Sequence, residues 1–168
     1  MITIVDYGMG NLRSVEKALE TLSISCRIST KASDIESADA ILLPGVGAFD
    51  AAISTLRSGG LNEAIKKAVL GGTPYLGICL GLQLLFEESD EGSEPGMGIF
   101  KGAVPKFKFE NRPDLKIPHM GWNNLDVTAP SPLFKGISKD AKFYFVHSYY
   151  AVPADAGLVS STTDYGGP

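Results

Sequence analysis

The sequence predicts an α/β fold: an open, mostly parallel, twisted sheet with helices on both faces, followed by an antiparallel extension. Three observations carry this expectation. Short apolar runs bounded by turn residues alternate with helical periodicity through residues 1–86. Glycine-rich clusters stand where such runs meet helices, at 8–10, 44–47 and 77–81. Beyond residue 98 the chain changes to Pro-punctuated, β-prone pieces.

The elements follow in order. Ile2-Thr3-Ile4-Val5 is a short apolar run, expected as a buried strand. The turn cluster Tyr7-Gly8-Met9-Gly10-Asn11 comes next, with Asn11 placed to cap a helix. Leu12, Val15, Ala18, Leu19 and Leu22 share one face of that helix, and Glu16 and Glu20 the other. Weak alternation over 26–29 gives a second strand, and 40–43 a third that stops at Pro44-Gly45. Helical periodicity returns over 48–56 and 61–70, the latter closed by Gly71-Gly72. A fourth strand is expected at 75–78 and a helix over 79–86. Residues 87–98 are acidic and glycine-rich, the composition of a surface loop. Strand-like pieces at 103–107, 122–127, 142–147 and 158–163 make up the extension. No repeat, low-complexity segment or linker divides the chain, so 1–168 is expected to be a single domain.

Composition narrows the function. Hydrophobic residues are 44% and charged residues 20% of the 168, as in an ordinary globular protein rather than a disordered one. Fifteen Lys and Arg against nineteen Asp and Glu give a net charge of −4, with no basic run. Neither nucleic acid nor a membrane surface is therefore an expected partner. No apolar stretch approaches a membrane span, and Met1-Ile2-Thr3-Ile4-Val5-Asp6 lacks the basic start of a secretory signal. The two cysteines, Cys26 and Cys79, make no disulfide framework, and a cytoplasmic setting with reduced thiols is expected. Two cysteines and two histidines show no ligand spacing, so no metal is expected. Gly8-Met9-Gly10-Asn11-Leu12-Arg13 begins like a dinucleotide fingerprint but has Arg13 at the third glycine position, which removes nicotinamide and flavin cofactors.

The sharpest signal is Gly77-Ile78-Cys79-Leu80-Gly81, a glycine-x-nucleophile-x-glycine pattern with cysteine as nucleophile. The glycines let a strand turn abruptly into a helix, which exposes the sulfur above the sheet edge. The helix N-terminus beside it is expected to favour the thiolate. The Leu80 N–H is placed to stabilise an oxyanion, and a second donor is available from Pro44-Gly45-Val46-Gly47. The competing reading makes Cys79 a buried small hydrophobe, as Cys26 is taken to be. A cysteine nucleophile calls for a histidine base. His119 and His147 are the available ones, and neither has an acidic residue two positions on. An unrelated hydrolase with His147 as base stays open on these residues.

Four further segments complete a resemblance. Asp6-Tyr7-Gly8-Met9-Gly10-Asn11-Leu12, Pro44-Gly45-Val46-Gly47-Ala48-Phe49, His119-Met120-Gly121-Trp122-Asn123 and Tyr144-Phe145-Val146-His147-Ser148-Tyr149 join the cysteine elbow, which continues through Leu82 to Gln83. Together they resemble the glutaminase subunits of imidazole glycerol phosphate synthase, within the class I (triad) glutamine amidotransferases, along the whole chain. The resemblance implies a flavodoxin-like fold and a Cys79 thioester formed from glutamine. It implies oxyanion donors at Leu80 and at the Val46–Gly47 peptide, and glutamine held by Gln83 and by the backbone of His147, Ser148 and Tyr149. It implies a heterodimer with a cyclase subunit in histidine biosynthesis, with Asn11, Trp122 and Tyr144 facing the cyclase. Each of those three has a plainer reading: Asn11 a helix cap, Trp122 and Tyr144 core aromatics. The family carries its histidine and glutamate in a late His-Pro-Glu segment, and the sequence to Pro168 holds none. The expectation is therefore a C-terminally incomplete domain without the terminal strands and last helix, weak or inactive as a glutaminase. A non-catalytic module that docks on the cyclase is the alternative.

Overall fold

A computed structural model describes residues 1–110 and 112–167. Pro168 lies outside the described residues. Strands β1 (Ile2–Val5), β2 (Cys26–Ser29), β3 (Ala40–Gly45) and β4 (Tyr75–Cys79) form one parallel sheet in the order β2-β1-β3-β4. This is a doubly wound order. Its reversal between β1 and β3 opens a crevice beyond the carboxyl ends of those strands.

Both faces of the sheet carry helices. On one, α1 (Leu12–Thr21) lays Leu12, Val15 and Leu19 over Ile4 and Leu42. Asn11 starts that helix, its Oδ1 accepting from the Ser14 N–H at 3.2 Å. On the other, α3 (Phe49–Ser58) and α4 (Leu61–Leu70) bury Phe49, Ile53, Leu56, Leu61 and Ile65 against Val5, Ile41 and Leu43. Each such side chain removed from water contributes roughly 1.5–3 kcal/mol, so this face dominates the stability.

Three departures from the sequence expectation have physical causes. Helix α2 (Ala32–Glu36) was not expected, because Ile35 is its only buried residue. It is held from outside: the Arg27 guanidinium donates to the Asp34 carbonyl at 2.6 Å and pairs with the Asp34 carboxylate at 3.2 Å. Strand β3 runs through Pro44 instead of stopping before it. Its pairing with β1 ends at Leu42 while that with β4 continues to Gly45, so the residue without an N–H lies beyond the last β1 pair. The expected helix over 79–86 shrinks to one turn, α5 (Leu80–Gln83). The N–H groups of Met97, Gly98 and Ile99 bond to the carbonyls of Leu84, Phe86 and Leu85, which therefore need no helical partner.

The later strands form separate small sheets. Strands β5 (Glu88–Ser89) and β6 (Gly102–Val104) pair in parallel, placing a strand inside the expected acidic loop. Strands β7 (His119–Asn124) and β9 (Lys142–His147) make an antiparallel ribbon. β8 (Asp126–Val127) pairs with β11 (Ser161–Thr162), and β10 (Val152–Pro153) with β6.

Candidate active site

Cys79 ends β4 and precedes the single turn of α5, with φ 54° and ψ −115°. A non-glycine residue avoids positive φ unless its surroundings impose it. Here the imposition is close packing. A Cβ on Gly77 would stand 2.5 Å from the Gly81 carbonyl, and one on Gly81 would strike the Leu43 carbonyl. Only bare backbone lets α5 fold back against β3 and β4. Leu80 and Gly81 are buried, whereas Cys79 is exposed, which removes the reading of Cys79 as a buried hydrophobe. Cys26 is half-buried between the sheet and α1.

The electrostatics differ from the expectation. Desolvation by the surrounding protein pushes the Cys79 thiol above its ordinary pKa, and the Glu91 carboxylate adds to this. The Leu80 N–H acts the other way, as the elbow pattern predicts, but does not prevail. A helix of one turn supplies little more dipole than that N–H. Glu91 itself is fixed by the start of α3, its Oε2 accepting from the Phe49 N–H at 2.9 Å.

Around the elbow the structure brings several expected residues together. Gly45 stands opposite Cys79 in the sheet, and Val46 and Gly47 follow it into an exposed loop. Gln83 is buried, and its Nε2 donates to the Tyr149 carbonyl at 3.1 Å. That carbonyl also lies 2.9 Å from His147 Nδ1. Residues 147–149 are therefore tied to α5 through one oxygen, and the Ser148 carbonyl accepts from the Phe107 N–H at 3.0 Å.

The histidines pair with each other. A carbonyl only accepts, so His147 Nδ1 carries a proton. With both rings neutral, His147 Nε2 then accepts from His119 Nδ1, 3.2 Å away. His119 is buried, stacks on Tyr165 and Phe145, and is held below the ordinary histidine pKa by desolvation and by His147. Among the described residues neither histidine is hydrogen-bonded to Cys79, so the geometry does not place His147 as its base.

Trp122 and Tyr144 face each other across the ribbon, 5.5 Å apart and edge to face. They are 66% and 55% exposed, so they are not core aromatics. Asn11 is exposed and caps α1, so its plainer reading holds in the structure. Tyr75, at the start of β4, and Glu91, tied to the head of α3, are elbow neighbours that no sequence motif singles out. Among the described residues no cluster of three or more His, Cys, Asp or Glu could hold a metal, and no helix is long and apolar enough to cross a membrane.

A parallel sheet whose fourth strand ends in a strained, exposed cysteine between glycines defines a class of protein. The chain belongs to the class-I glutamine amidotransferase family, whose model matches residues 3–167. Within that class it groups with the imidazole glycerol phosphate synthase subunit HisH. It is 49% identical to that subunit from Syntrophotalea carbinolica over 99% of this chain and 82% of the relative, and 51% identical to that from Nostoc punctiforme over 99% and 78%. Solved structures agree in fold. A glutamine amidotransferase crystal structure superposes with a TM-score of 0.69 at 21% identity, covering 96% of this chain and 79% of the other. PurLQS from Thermotoga maritima gives 0.67 at 21% identity, covering 99% and 76%.

Proposed function

We propose that this protein hydrolyses the side-chain carboxamide of glutamine at Cys79 and passes the ammonia to a cyclase subunit making imidazole glycerol phosphate in histidine biosynthesis. One observation carries the reading: an accessible cysteine forced to positive φ at the carboxyl edge of a parallel sheet, in a chain of this family. The sulfur attacks the carboxamide carbon and loses its proton. The amide nitrogen leaves with that proton as ammonia. Water then cleaves the glutamyl thioester, giving glutamate and restoring the thiol. The Leu80 N–H and the Val46–Gly47 peptide are the proposed oxyanion donors. Gln83 and the backbone of His147, Ser148 and Tyr149 are proposed to hold the glutamine. Trp122 and Tyr144, with Asn11 at the head of α1, are the proposed cyclase-facing residues. The 168 residues are proposed to act as one glutamine amidotransferase domain, in the cytoplasm.

The state of the thiol sets the expected rate. Neither histidine is bonded to Cys79 among the described residues, and desolvation favours the neutral thiol. Loss of the base from a triad costs several orders of magnitude. These 168 residues are therefore proposed to hydrolyse glutamine slowly. The same observation favours a second reading, a module that docks on the cyclase without catalysis. The test incubates the purified chain and cyclase with glutamine and measures glutamate, with Cys79→Ser as control. Slow glutamate formation lost in the control supports the enzyme. Co-elution with the cyclase at the control's rate supports docking alone.

A further inference from the structure

Two tyrosine hydroxyls reach the nucleophile elbow from below, and only one is committed. Tyr75 Oη donates to the Gly81 carbonyl at 2.6 Å, pinning the turn that follows Cys79. Tyr7, just beyond the carboxyl end of β1, is 5% exposed, and among the described residues its Oη has no hydrogen-bond partner. The location of that hydroxyl is narrowly defined. A Cβ on Gly45 would lie 2.8 Å from Tyr7 Oη, 2.9 Å from the Gly81 nitrogen and 2.9 Å from Leu80 Cβ. Gly45 is the residue opposite Cys79 in the sheet. The hydroxyl thus occupies the notch that glycine leaves at position 45, against the backbone of the elbow. Gly45 does not adopt positive φ, so its missing side chain serves space rather than backbone conformation.

A buried hydroxyl without a partner is destabilising, and phenylalanine would fill the same ring site without that penalty. We propose that Tyr7 is a positioning residue for the nucleophile: its uncommitted hydroxyl supplies a hydrogen bond to the Cys79 sulfur when the thiol ionises. The phenol remains protonated to do so. Desolvation first, and the neighbouring Cys79 second, push its pKa up to about 12. A neutral O–H beside a thiolate stabilises the anion without adding charge, offsetting part of the upward push from desolvation and Glu91. The other two side chains the structure sets at the elbow do not do this. The Tyr75 hydroxyl is occupied, and Glu91 acts in the opposite sense.

The inference rests on Cys79 being the nucleophile, and its test does not depend on glutamine turnover. Alkylation of Cys79 by iodoacetamide is followed across the pH range by peptide-resolved mass spectrometry, so that Cys26 is scored separately. Tyr7→Phe should shift the Cys79 profile to higher pH and slow the reaction at neutral pH by roughly three- to tenfold. The same variant should melt at an equal or higher temperature, since it removes an unpartnered buried hydroxyl. A merely structural tyrosine would give the melting result without the profile shift, and an unchanged profile overturns the proposal. A Cys79 that resists alkylation in the unsubstituted protein, at every pH where Cys26 reacts, overturns the nucleophile assignment together with it.

Discussion

At the scale of a residue, Cys79 carries a conformational cost that the close packing of the elbow imposes and that its chemistry uses. Its φ of 54° with ψ of −115° is a combination that a side chain disfavours. Such outliers cost on the order of 1–3 kcal/mol each. Glycine would relieve that strain, at a loss of roughly 0.5–1 kcal/mol through the greater freedom of the unfolded chain. Because Cys79 is exposed, little packing is lost. Cys79→Gly is therefore expected to stabilise the fold by about 1 kcal/mol, while Cys79→Ala, which keeps a Cβ at positive φ, should not. Urea unfolding of the two variants checks this. A glycine variant less stable than the alanine one would mean that the elbow is not strained. The same residue shows why thiolate character was misjudged from sequence. The Leu80 N–H is local and legible in the pattern, whereas desolvation and Glu91 arrive through tertiary packing.

At the scale of the element, the β7–β9 ribbon contains a titratable pair that couples it to pH. His119 and His147 share a hydrogen bond, and His147 donates to the Tyr149 carbonyl, so the buried His119 ring sits in a bonded, desolvated setting that disfavours its charged form. His119 is depressed in the folded state, by desolvation first and by His147 second. In the unfolded chain its pKa returns to the ordinary value near 6.5. Between the depressed value and that one, the unfolded state binds more protons than the folded state, so stability rises with pH. Its contribution is whole above about pH 6.5 and is lost as pH falls through that value toward the depressed one. The melting temperature is expected to drop by a few degrees from pH 7 to pH 5, and His119→Phe should flatten that slope. An equally steep slope in the variant would assign the effect to other groups. Elements also differ in how far the sequence reveals them. β1, β2 and α4 sit where apolar runs and periodicity put them, because each buries its own pattern. Helix α2 leaves little trace in the sequence because an Arg27–Asp34 contact holds it, and the apolar run through 86 outlasts α5 because Leu84, Leu85 and Phe86 are buried without being helical. The elbow is legible in two glycines and a cysteine, but the Tyr7 hydroxyl beneath it is not, since only the closed sheet brings it there from the end of β1.

At the scale of the whole molecule, the apolar surface left uncovered is unevenly distributed. The sheet buries Val5, Ile41 and Leu43 beneath α3 and α4 and Ile4 and Leu42 beneath α1, whereas the ribbon turns Met120, Trp122, Tyr144 and Val146 to solvent at 53–66% exposure. The register pairs Met120 with Val146 and Trp122 with Tyr144, so all four lie on one face, opposite the face carrying His119, Phe145 and His147. An aromatic pair at the centre of an exposed apolar face is the composition of an interface anchor. A net charge of −4 on 168 residues gives electrostatics only a modest part in such docking. Trp122→Ala should therefore separate binding from folding. Its side chain is mostly in water, so unfolding stability should change by no more than about 0.5 kcal/mol. If this face is the proposed cyclase-facing one, loss of the tryptophan weakens binding to the cyclase by about 2 kcal/mol, roughly thirtyfold in Kd. Titration calorimetry of the chain with the cyclase, beside thermal unfolding of the chain alone, measures the two effects. A variant that binds the cyclase undiminished would place the partner on another face. One that unfolds readily would make Trp122 a structural residue despite its exposure.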